Sequence, residues 1–415
     1  MFETKLKTVP ITQNMVKSAY KKVKKNKGSS GVDNESLADY QLDLQNNLYK
    51  LWNKLASGSY YPKPVLEVEI PKSNGKTRLL GIPTVSDRIA QQVIKSYLEP
   101  RLEKEFIENS YGYRPLRSAH DALESVRENV RKYAWVIDMD IKSFFDEVDH
   151  ELILKALDKH VEERWVKFYI QRWLEVPSQS SDGELKYKDG RGTPQGGVIS
   201  PLLANLFLHY VLDKWLGKHY PGIPFVRYAD DIVIHCQEES IAKHILGAVR
   251  ERLKQCGLRL NEEKTKTVCC KSFRKEKKHY RKKFDFLGFT FKPRTFLTKE
   301  KVFFTSCDCA ISQSSQKRIQ DNWRSQQFHR NSRITIQTIA NRINPQMRGI
   351  LRYYGKFGLW HVKLLVIRFH NLLAKWVLKK YKRFKGSFHR AYNWIKTIKR
   401  GYPTLFYHWT IFKTL

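Results

Sequence analysis

An acidic pair, Asp230 and Asp231, stands in the middle of the segment PFVRYADDIVIHC, where apolar residues alternate with other residues on both sides. Alternation with a period of two is typical of a β-strand that buries one face. The segment therefore predicts an antiparallel hairpin that carries both carboxylates at its tip. Taken alone, the pair decides little about function, because aspartate also favours ordinary hairpin turns.

A further carboxylate is predicted at a strand end in the segment YAWVIDMDIKSFFDEVDH. Val136, Asp138 and Asp140 recur at a period of two on one face before a helical pattern begins. The segment therefore predicts a short strand that enters a helix, with a carboxylate where the strand ends. Downstream, RGTPQGGVISPLLANLFLHYVLDKWL predicts a glycine-rich turn that opens an apolar helix.

The remaining patterns indicate an α+β fold. Apolar residues at intervals of three and four predict a helix over 37–55, after the turn-rich GSSGVDNES, and another helix is predicted over 87–106. Alternation around Asn74-Gly75 predicts a hairpin, and GLRLNEEKTKTV and FDFLGFTF predict further strands. From about Ser312 the pattern is mostly helical. A chain of 415 residues is long enough for two or three domains, here a mixed-sheet domain followed by a basic helical one.

The charge is strongly basic and unevenly placed. Lys and Arg number 76 against 41 Asp and Glu, a formal net charge of +35. From Lys271 to the end, 34 Lys and Arg stand against five acids, and no carboxylate side chain follows Asp321. Trp and Tyr residues are interleaved with this basic run. The composition predicts a polyanionic partner, nucleic acid first, gripped through its backbone and by base stacking.

Other compartments are disfavoured by the sequence. No segment offers the roughly 20 uninterrupted apolar residues that spanning a membrane needs, and the N-terminus lacks an apolar signal core. Six cysteines show neither paired zinc spacing nor a secreted disulfide framework. We therefore expect a soluble cytoplasmic protein with ordinary thiols and no membrane partner.

Three convergent carboxylates suit one chemistry in particular. Phosphoryl transfer from a nucleotide uses two Mg²⁺ ions about 3.5–4 Å apart, and carboxylate oxygens are the ligands such hard ions prefer. An aspartate at a strand end beside an Asp-Asp hairpin is a minimal way to supply them. The alternative is a polar hairpin turn without a metal.

Seven motifs, in order, resemble those of group II intron reverse transcriptases across nearly the whole chain. The motifs are IPKSNGKTRLLGIPTVSDRIAQQVI, SYGYRPLRSAHDAL, VIDMDIKSFFD, GTPQGGVISPLLANLFL, FVRYADDIVI, LRLNEEKTKTV and FDFLGFTF. The C-terminal INPQMRGILRYYGKF is similar to the family's thumb or maturase region. The resemblance implies a right-hand polymerase with fingers, a palm containing an antiparallel sheet, and an α-helical thumb.

The resemblance also implies a division of the chain. Residues 1–66 would form a helical N-terminal extension with a glycine-rich loop, and 67–296 the fingers and palm. Residues 297–380 would form the thumb or maturase domain, and 381–415 a basic helical segment that is a candidate DNA-binding region. No HNH-type histidines with paired cysteines follow, so we expect that the protein does not cut its own target strand and uses an existing 3′ end as primer.

Site residues follow from the resemblance position by position. Asp140, Asp230 and Asp231 would bind two Mg²⁺ ions, with Mn²⁺ as a possible substitute, and Asp138 would be structural or lie behind the metal ligands. Phe145 matches the bulky residue that excludes a 2′-hydroxyl, against the alternative of plain core packing.

Nucleotide contacts are assigned in the same way. Lys72 and Arg78 would bind the triphosphate, and Gln195 would contact the nucleotide, with Gly196 and Gly197 allowing close backbone approach. Less specific assignments in the palm motifs are Tyr228, Ala229 and Lys264.

The implied activity is RNA-directed DNA polymerisation with dNTPs on an RNA template from a DNA or RNA primer. The partner RNA would be the group II intron RNA, with a DNA target for retrotransposition; the oligomeric state stays open. Two alternatives remain: a domesticated reverse transcriptase used in phage defence or DNA repair, and a non-catalytic RNA-binding splicing factor.

Overall fold

The chain is described by a computed structural model that covers residues 9–71, 77–271, 280–297, 300–384 and 386–412. It divides into two compact units, Met1–Val126 with Val136–Thr267, and Arg127–Trp135 with Val268–Leu415. Among the described residues, no helix combines the length and the apolar character needed to cross a membrane.

The first unit is rich in helices, which often begin at a polar cap. Thr12, Ser36 and Thr84 each accept a hydrogen bond from a backbone N–H in the first turn of the following helix. A π-helical turn, His209–Asp213, joins two of the helices. The helices are α1 Gln13–Asn26, α2 Leu37–Leu42, α3 Leu44–Ala56, α4 Val85–Leu102, α5 Ala119–Lys132, α6 Phe144–Glu147, α7 His150–Asp158, α8 Arg164–Glu175, α9 Ser200–Leu208, α10 Lys214–His219 and α11 Glu239–Gln255.

The strands of this unit form two sheets. They are β1 Val65–Pro71, β2 Thr77–Ile82, β3 Trp135–Asp140, β4 Ser178–Gln179, β5 Leu185–Lys186, β6 Phe225–Tyr228, β7 Asp231–Cys236 and β8 Lys266–Cys269. One sheet has the order β2-β1-β4-β5 and the other β6-β7-β3-β8. The apolar residues of β3 and β7 are almost completely buried, which explains their near-continuous apolar sequences.

The predicted hairpin around Asn74-Gly75 has its two strands in place. β1 and β2 pair antiparallel from Leu66↔Ile82 to Pro71↔Thr77. The turn itself lies outside the described residues.

The helix predicted over 37–55 is wrong in one respect, because Asp43 divides it into α2 and α3. Asp43 has φ −121° and ψ 49°, which is not helical, and its carboxylate accepts a hydrogen bond from the Asn46 amide at 2.8 Å. The Asn47 side chain satisfies the Tyr40 carbonyl at 3.1 Å. Local side-chain bonds of this kind compete with a continuous helix.

The strand predicted from GLRLNEEKTKTV is shorter than expected. Leu260 makes only an isolated bridge to Ile141, and β8 begins at Lys266. Between them the Asn261 carbonyl accepts hydrogen bonds from the backbone of Lys264 and Thr265 at 3.1 and 2.8 Å. The resulting turn brings Lys264 back toward the end of β3.

The second unit has a three-stranded sheet followed by helices. Its strands are β9 Phe284–Phe286, β10 Phe289–Leu297 and β11 Phe303–Ile311, and its helices are α12 Gln313–Ser325, α13 Ile336–Lys380, α14 Phe388–Gly401 and α15 Tyr407–Ile411. Ser312 caps α12, where the helical pattern was predicted to begin. Helix α13 is kinked at Gly358, which has non-helical φ and ψ.

All the cysteines lie within the described residues. All six are free and buried. Asp308, between Cys307 and Cys309, forms an ion pair with Arg127 at 2.7 Å. The predicted α+β fold with a helical C-terminal region is confirmed.

Candidate active site

The tip of the β6–β7 hairpin carries the acidic pair. Tyr228 pairs with Asp231 across the two strands, so Ala229 and Asp230 form the turn. Ala229 has φ +56°, in the left-handed region that few non-glycine residues adopt. The hairpin prediction is confirmed, with Asp230 in the turn and Asp231 as the first residue of β7.

The fully buried Arg227 supports this turn through hydrogen bonds. The Arg227 guanidinium donates to both carboxylate oxygens of Asp213, at 2.8 and 2.5 Å, and to the Asn205 side-chain oxygen at 2.9 Å. It also donates to the Ala229 carbonyl at 3.2 Å. Burial alone would raise the pKa of Asp213, but the Arg227 charge and the hydrogen bonds from Arg227 hold that pKa below its ordinary value.

The chain that precedes α5 lies directly against the turn. Tyr111 N–H donates to the Arg227 carbonyl at 2.8 Å, and the Asn205 side chain donates to the Gly112 carbonyl at 2.7 Å. A Cβ atom on Gly112 would lie 2.4 Å from the backbone nitrogen of Ala229. Only glycine therefore fits at position 112 without moving the acidic turn.

Asp140 ends β3 and is held by two side chains from the turn before β8. The Lys264 ammonium donates to its two carboxylate oxygens at 3.1 and 3.0 Å, and the Asn261 amide donates at 3.0 Å. Asp138 lies on the same face of β3 and is half-buried. Its part in the site stays a prediction.

Ionisation of the two carboxyl groups at the hairpin tip, Asp230 and Asp231, is disfavoured. The pKa of Asp231 is raised to about 6, mainly by poor hydration and further by the charges of Asp230 and Asp140, against the opposing charge of Lys264. The pKa of Asp230 is raised by burial and by Asp140, against Arg78 and Lys264. Asp231 keeps one side open to solvent. The three predicted metal ligands therefore lie within electrostatic range of one another.

The donor chemistry fits a hard divalent cation, because three carboxylates that repel one another are stabilised by a positive ion. Within the described ranges, however, no three His, Cys, Asp or Glu side chains form a ready group for a metal ion. The Lys264 ammonium partly serves as the positive charge at this site, because it forms an ion pair with Asp140. A metal ion bound by Asp140 would share this carboxylate with Lys264 or displace it.

Two of the predicted nucleotide contacts touch each other. The Arg78 Nε donates to the Gln195 side-chain oxygen at 2.6 Å, and Gly81 N–H donates to the Gln195 carbonyl at 2.7 Å. Gly196 has φ +126°, and a Cβ there would lie 2.3 Å from the Gly81 carbonyl oxygen. Lys72, the other predicted triphosphate ligand, lies outside the described residues.

Phe145 lies near Gln195 at the start of α6. It is 8% exposed and packs edge-on against Phe144, with ring centroids 5.3 Å apart. Both Phe145 and Gln195 line a pocket of about 180 Å³, together with Lys188 and Arg191. Phe145 therefore lines this pocket and also packs against the core residue Phe144.

Comparison with known proteins identifies the family of this chain. The family model "Reverse transcriptase (RNA-dependent DNA polymerase)" matches residues 70–291, more than half of the chain. The chain belongs to the reverse transcriptase family. The matched range includes all the predicted site residues.

The relatives of this reverse transcriptase include intron-encoded proteins. The YkfC protein of Escherichia coli K12 is 35% identical over 277 residues, covering 57% of this chain and 71% of that protein. The group II intron-encoded protein LtrA of Lactococcus lactis is 34% identical over 205 residues, covering 48% and 33%. A putative COX1/OXI3 intron 1 protein of Saccharomyces cerevisiae is 28% identical, covering 62% and 37%. The resemblance to group II intron reverse transcriptases is confirmed, although the chain spans only about a third of the latter two relatives.

Among solved structures, a telomerase from Candida albicans in complex with a telomeric RNA fragment aligns with 87% of this chain and 69% of its own. The TM-score is 0.46 and the identity 13%. The fold assignment rests on the family match.

The sequence patterns missed the side chains that support the site of this reverse transcriptase. Asn261 holds Asp140, and the buried Arg227, Asp213 and Asn205 hold the acidic turn. One signal was visible: Arg227 interrupts the apolar strand PFVRY, and a charged residue in such a position is buried only when it is paired.

Proposed function

We propose that this protein is an RNA-directed DNA polymerase that extends a primer on an RNA template with dNTPs by two-metal phosphoryl transfer. The observation that carries the proposal is the electrostatic coupling of Asp140, Asp230 and Asp231 in a unit that also joins Arg78 to Gln195. When bound by these carboxylates, Mg²⁺ would activate the 3′-hydroxyl and stabilise the leaving pyrophosphate.

The protein's own residues would position the substrate. Gln195 fixes the Nε edge of Arg78, and within the described part of the chain the Arg78 guanidinium makes no other hydrogen bond. Its two Nη groups therefore remain able to donate to non-bridging phosphate oxygens in the fork geometry that suits them. Phe145 would lie under the sugar, where its ring leaves no room for a 2′-hydroxyl.

The charge of the C-terminal region supports a second activity of the same protein. From Lys271 onward the 34 Lys and Arg against five acids favour binding of a long phosphate backbone. We propose group II intron RNA as that partner, with assistance of splicing and retrotransposition as the result. The family match and the intron-encoded relatives favour this partner over a role in phage defence or repair.

Primer extension tests the polymerase proposal. The intact protein should extend a DNA primer on an RNA template with dNTPs and Mg²⁺, whereas Asp230→Asn should not, because it removes one charge from the carboxylate set. Asp43→Asn, at the break between α2 and α3, is the matched control and should extend normally. If the intact protein binds RNA tightly but extends no primer, the non-catalytic splicing factor becomes the better assignment.

Discrimination against ribonucleotides tests the role of Phe145. Phe145→Ala should allow rNTPs to compete with dNTPs, since the ring that blocks the 2′-hydroxyl is gone. The measurement is the ratio of kcat/KM for a dNTP and its rNTP. Phe144→Ala removes a neighbouring buried ring and should lower stability without changing the ratio. An unchanged ratio in Phe145→Ala would show that Phe145 serves the core alone.

A further inference from the structure

The segment SYGYRPLRS, between Phe106 and α5, has an unusual backbone. Tyr113 and Leu116 have φ values of +58° and +59°. Left-handed conformations cost non-glycine residues about 1–2 kcal/mol and persist only where the surrounding structure imposes them, which happens most often at functional sites. Neither residue is needed in the core, because Tyr113 is 53% exposed and Leu116 is fully exposed.

Both neighbours of Tyr113 are fixed. Gly112 packs against the backbone of Ala229 in the acidic turn, as described above. On the other side, the buried Arg114 binds both carboxylate oxygens of Glu103 and the Ser110 carbonyl, the latter at 2.7 Å. Tyr113 therefore cannot relax to an ordinary conformation without breaking one of these anchors.

The Tyr113 hydroxyl lies within electrostatic range of the predicted substrate contacts. Burial raises the pKa of Tyr113, the negative charges of Asp230 and Asp231 raise it further, and the Arg78 guanidinium lowers it. The phenol is thus neutral near pH 7 and able to donate one hydrogen bond. It stands in the field of both the predicted metal carboxylates and the predicted triphosphate ligand.

We propose that Tyr113 is a nucleotide-positioning residue whose hydroxyl donates a hydrogen bond to a non-bridging oxygen of the dNTP triphosphate, beside Arg78. The proposal rests on the proposed polymerase function and adds a contact to it. A neutral donor suits this place, because it binds a phosphate oxygen without competing with a cation for Asp230. The left-handed backbone at Tyr113 and the contact of Gly112 with Ala229 together fix where the phenol leaves the chain, beside the acidic turn.

The Tyr113→Phe variant tests the contact, because it removes one oxygen and keeps the ring and the left-handed backbone. A hydrogen bond to a charged group is worth about one factor of ten in binding. The KM for dNTP should therefore rise about tenfold, with kcat changed less than about twofold. Tyr49→Phe is the matched control, since Tyr49 on α3 is also 53% exposed, and it should leave both constants unchanged.

Inhibition by inorganic tripolyphosphate identifies the part of the nucleotide that is contacted. Tyr113→Phe should weaken this inhibition by a factor similar to its rise in KM, whereas a contact with the sugar or base would leave it unchanged and overturn the proposal. Unchanged KM, or a fall in kcat alone, would also overturn it. If the intact protein extends no primer, the polymerase proposal itself fails. An active intact protein with an equally active Tyr113→Phe variant removes only the role of Tyr113.

Discussion

Replacing Asp231 with asparagine is expected to abolish primer extension while making the metal-free protein more stable to heat at neutral pH. The carboxylate is proposed to hold a cation that supplies several kcal/mol of transition-state stabilisation. Its loss should therefore lower the rate on the order of 10³-fold or more. The measurement is single-nucleotide addition under saturating dNTP, with RNA binding followed separately.

The gain in stability follows from the pKa of Asp231. That pKa is raised from 3.8 to about 6, so the folded protein disfavours the ionised carboxylate relative to the unfolded chain. The contribution to stability is complete below about pH 3.8 and is lost as the pH rises through about 6. Asparagine does not ionise and so avoids this loss of stability. The melting temperature of Asp231→Asn should therefore exceed that of the intact protein at pH 7–8 and differ little from it at pH 4.

The two readouts separate a catalytic carboxylate from a structural one. A structural Asp231 would give lower stability at pH 7 when replaced, together with lower activity. Addition of Mg²⁺ provides the control, because it should raise the melting temperature of the intact protein at pH 7 and have a smaller effect on Asp231→Asn. Equal effects of Mg²⁺ on both proteins would contradict the assignment.

A second large effect is expected at Asp213, which reaches no substrate. Asp213→Ala leaves the Arg227 guanidinium fully buried without its counter-ion, and such a change costs about 3–5 kcal/mol of stability. It should also lower primer extension, because Arg227 no longer supports the Ala229 carbonyl from a fixed position. Urea denaturation and primer extension measure the two effects.

Two further variants test whether the loss of stability in Asp213→Ala comes from the unpaired Arg227 charge. Asp213→Leu combined with Arg227→Met removes both charges and should destabilise the protein less than Asp213→Ala, because no unpaired charge remains. Glu262→Ala breaks the exposed Arg250–Glu262 ion pair, 2.8 Å long, and should cost less than about 1 kcal/mol. A similar cost for Asp213→Ala and Glu262→Ala would show that the buried pair contributes little.

Sequence patterns predicted many helices and strands because each of these elements is specified by residues that are close together in the chain. Alternation around Asp230 and Asp231 specifies a hairpin, and the polar Ser312 specifies a helix start, in both cases within a few residues. The break at Asp43 was missed, since periodicity at intervals of three and four continues through it. Side-chain hydrogen bonds from Asn46 and Asn47 accompany the break, and periodicity does not report such bonds.

The candidate site depends on contacts between distant parts of the chain. Motif order indicated Arg78 and Gln195 separately, but their hydrogen bond joins residues 117 positions apart. The Lys264–Asp140 ion pair spans 124 positions and depends on the turn that shortened the predicted strand. The residues proposed to bind a ligand lie in sequence motifs, whereas of the side chains that hold them in place only Arg227 gave a visible signal.

The bond between Arg78 and Gln195 has a consequence for how quickly and how tightly a nucleotide can be captured. Ordering a long, rotamer-rich side chain during binding costs about 0.5–1.5 kcal/mol. Here the hydrogen bond to the Gln195 side chain already orients the Arg78 guanidinium. The Gln195 backbone is in turn held by the hydrogen bond from Gly81 N–H. The Arg78 guanidinium is thus oriented before binding, and a nucleotide that used it as proposed would meet a donor group whose direction is already set.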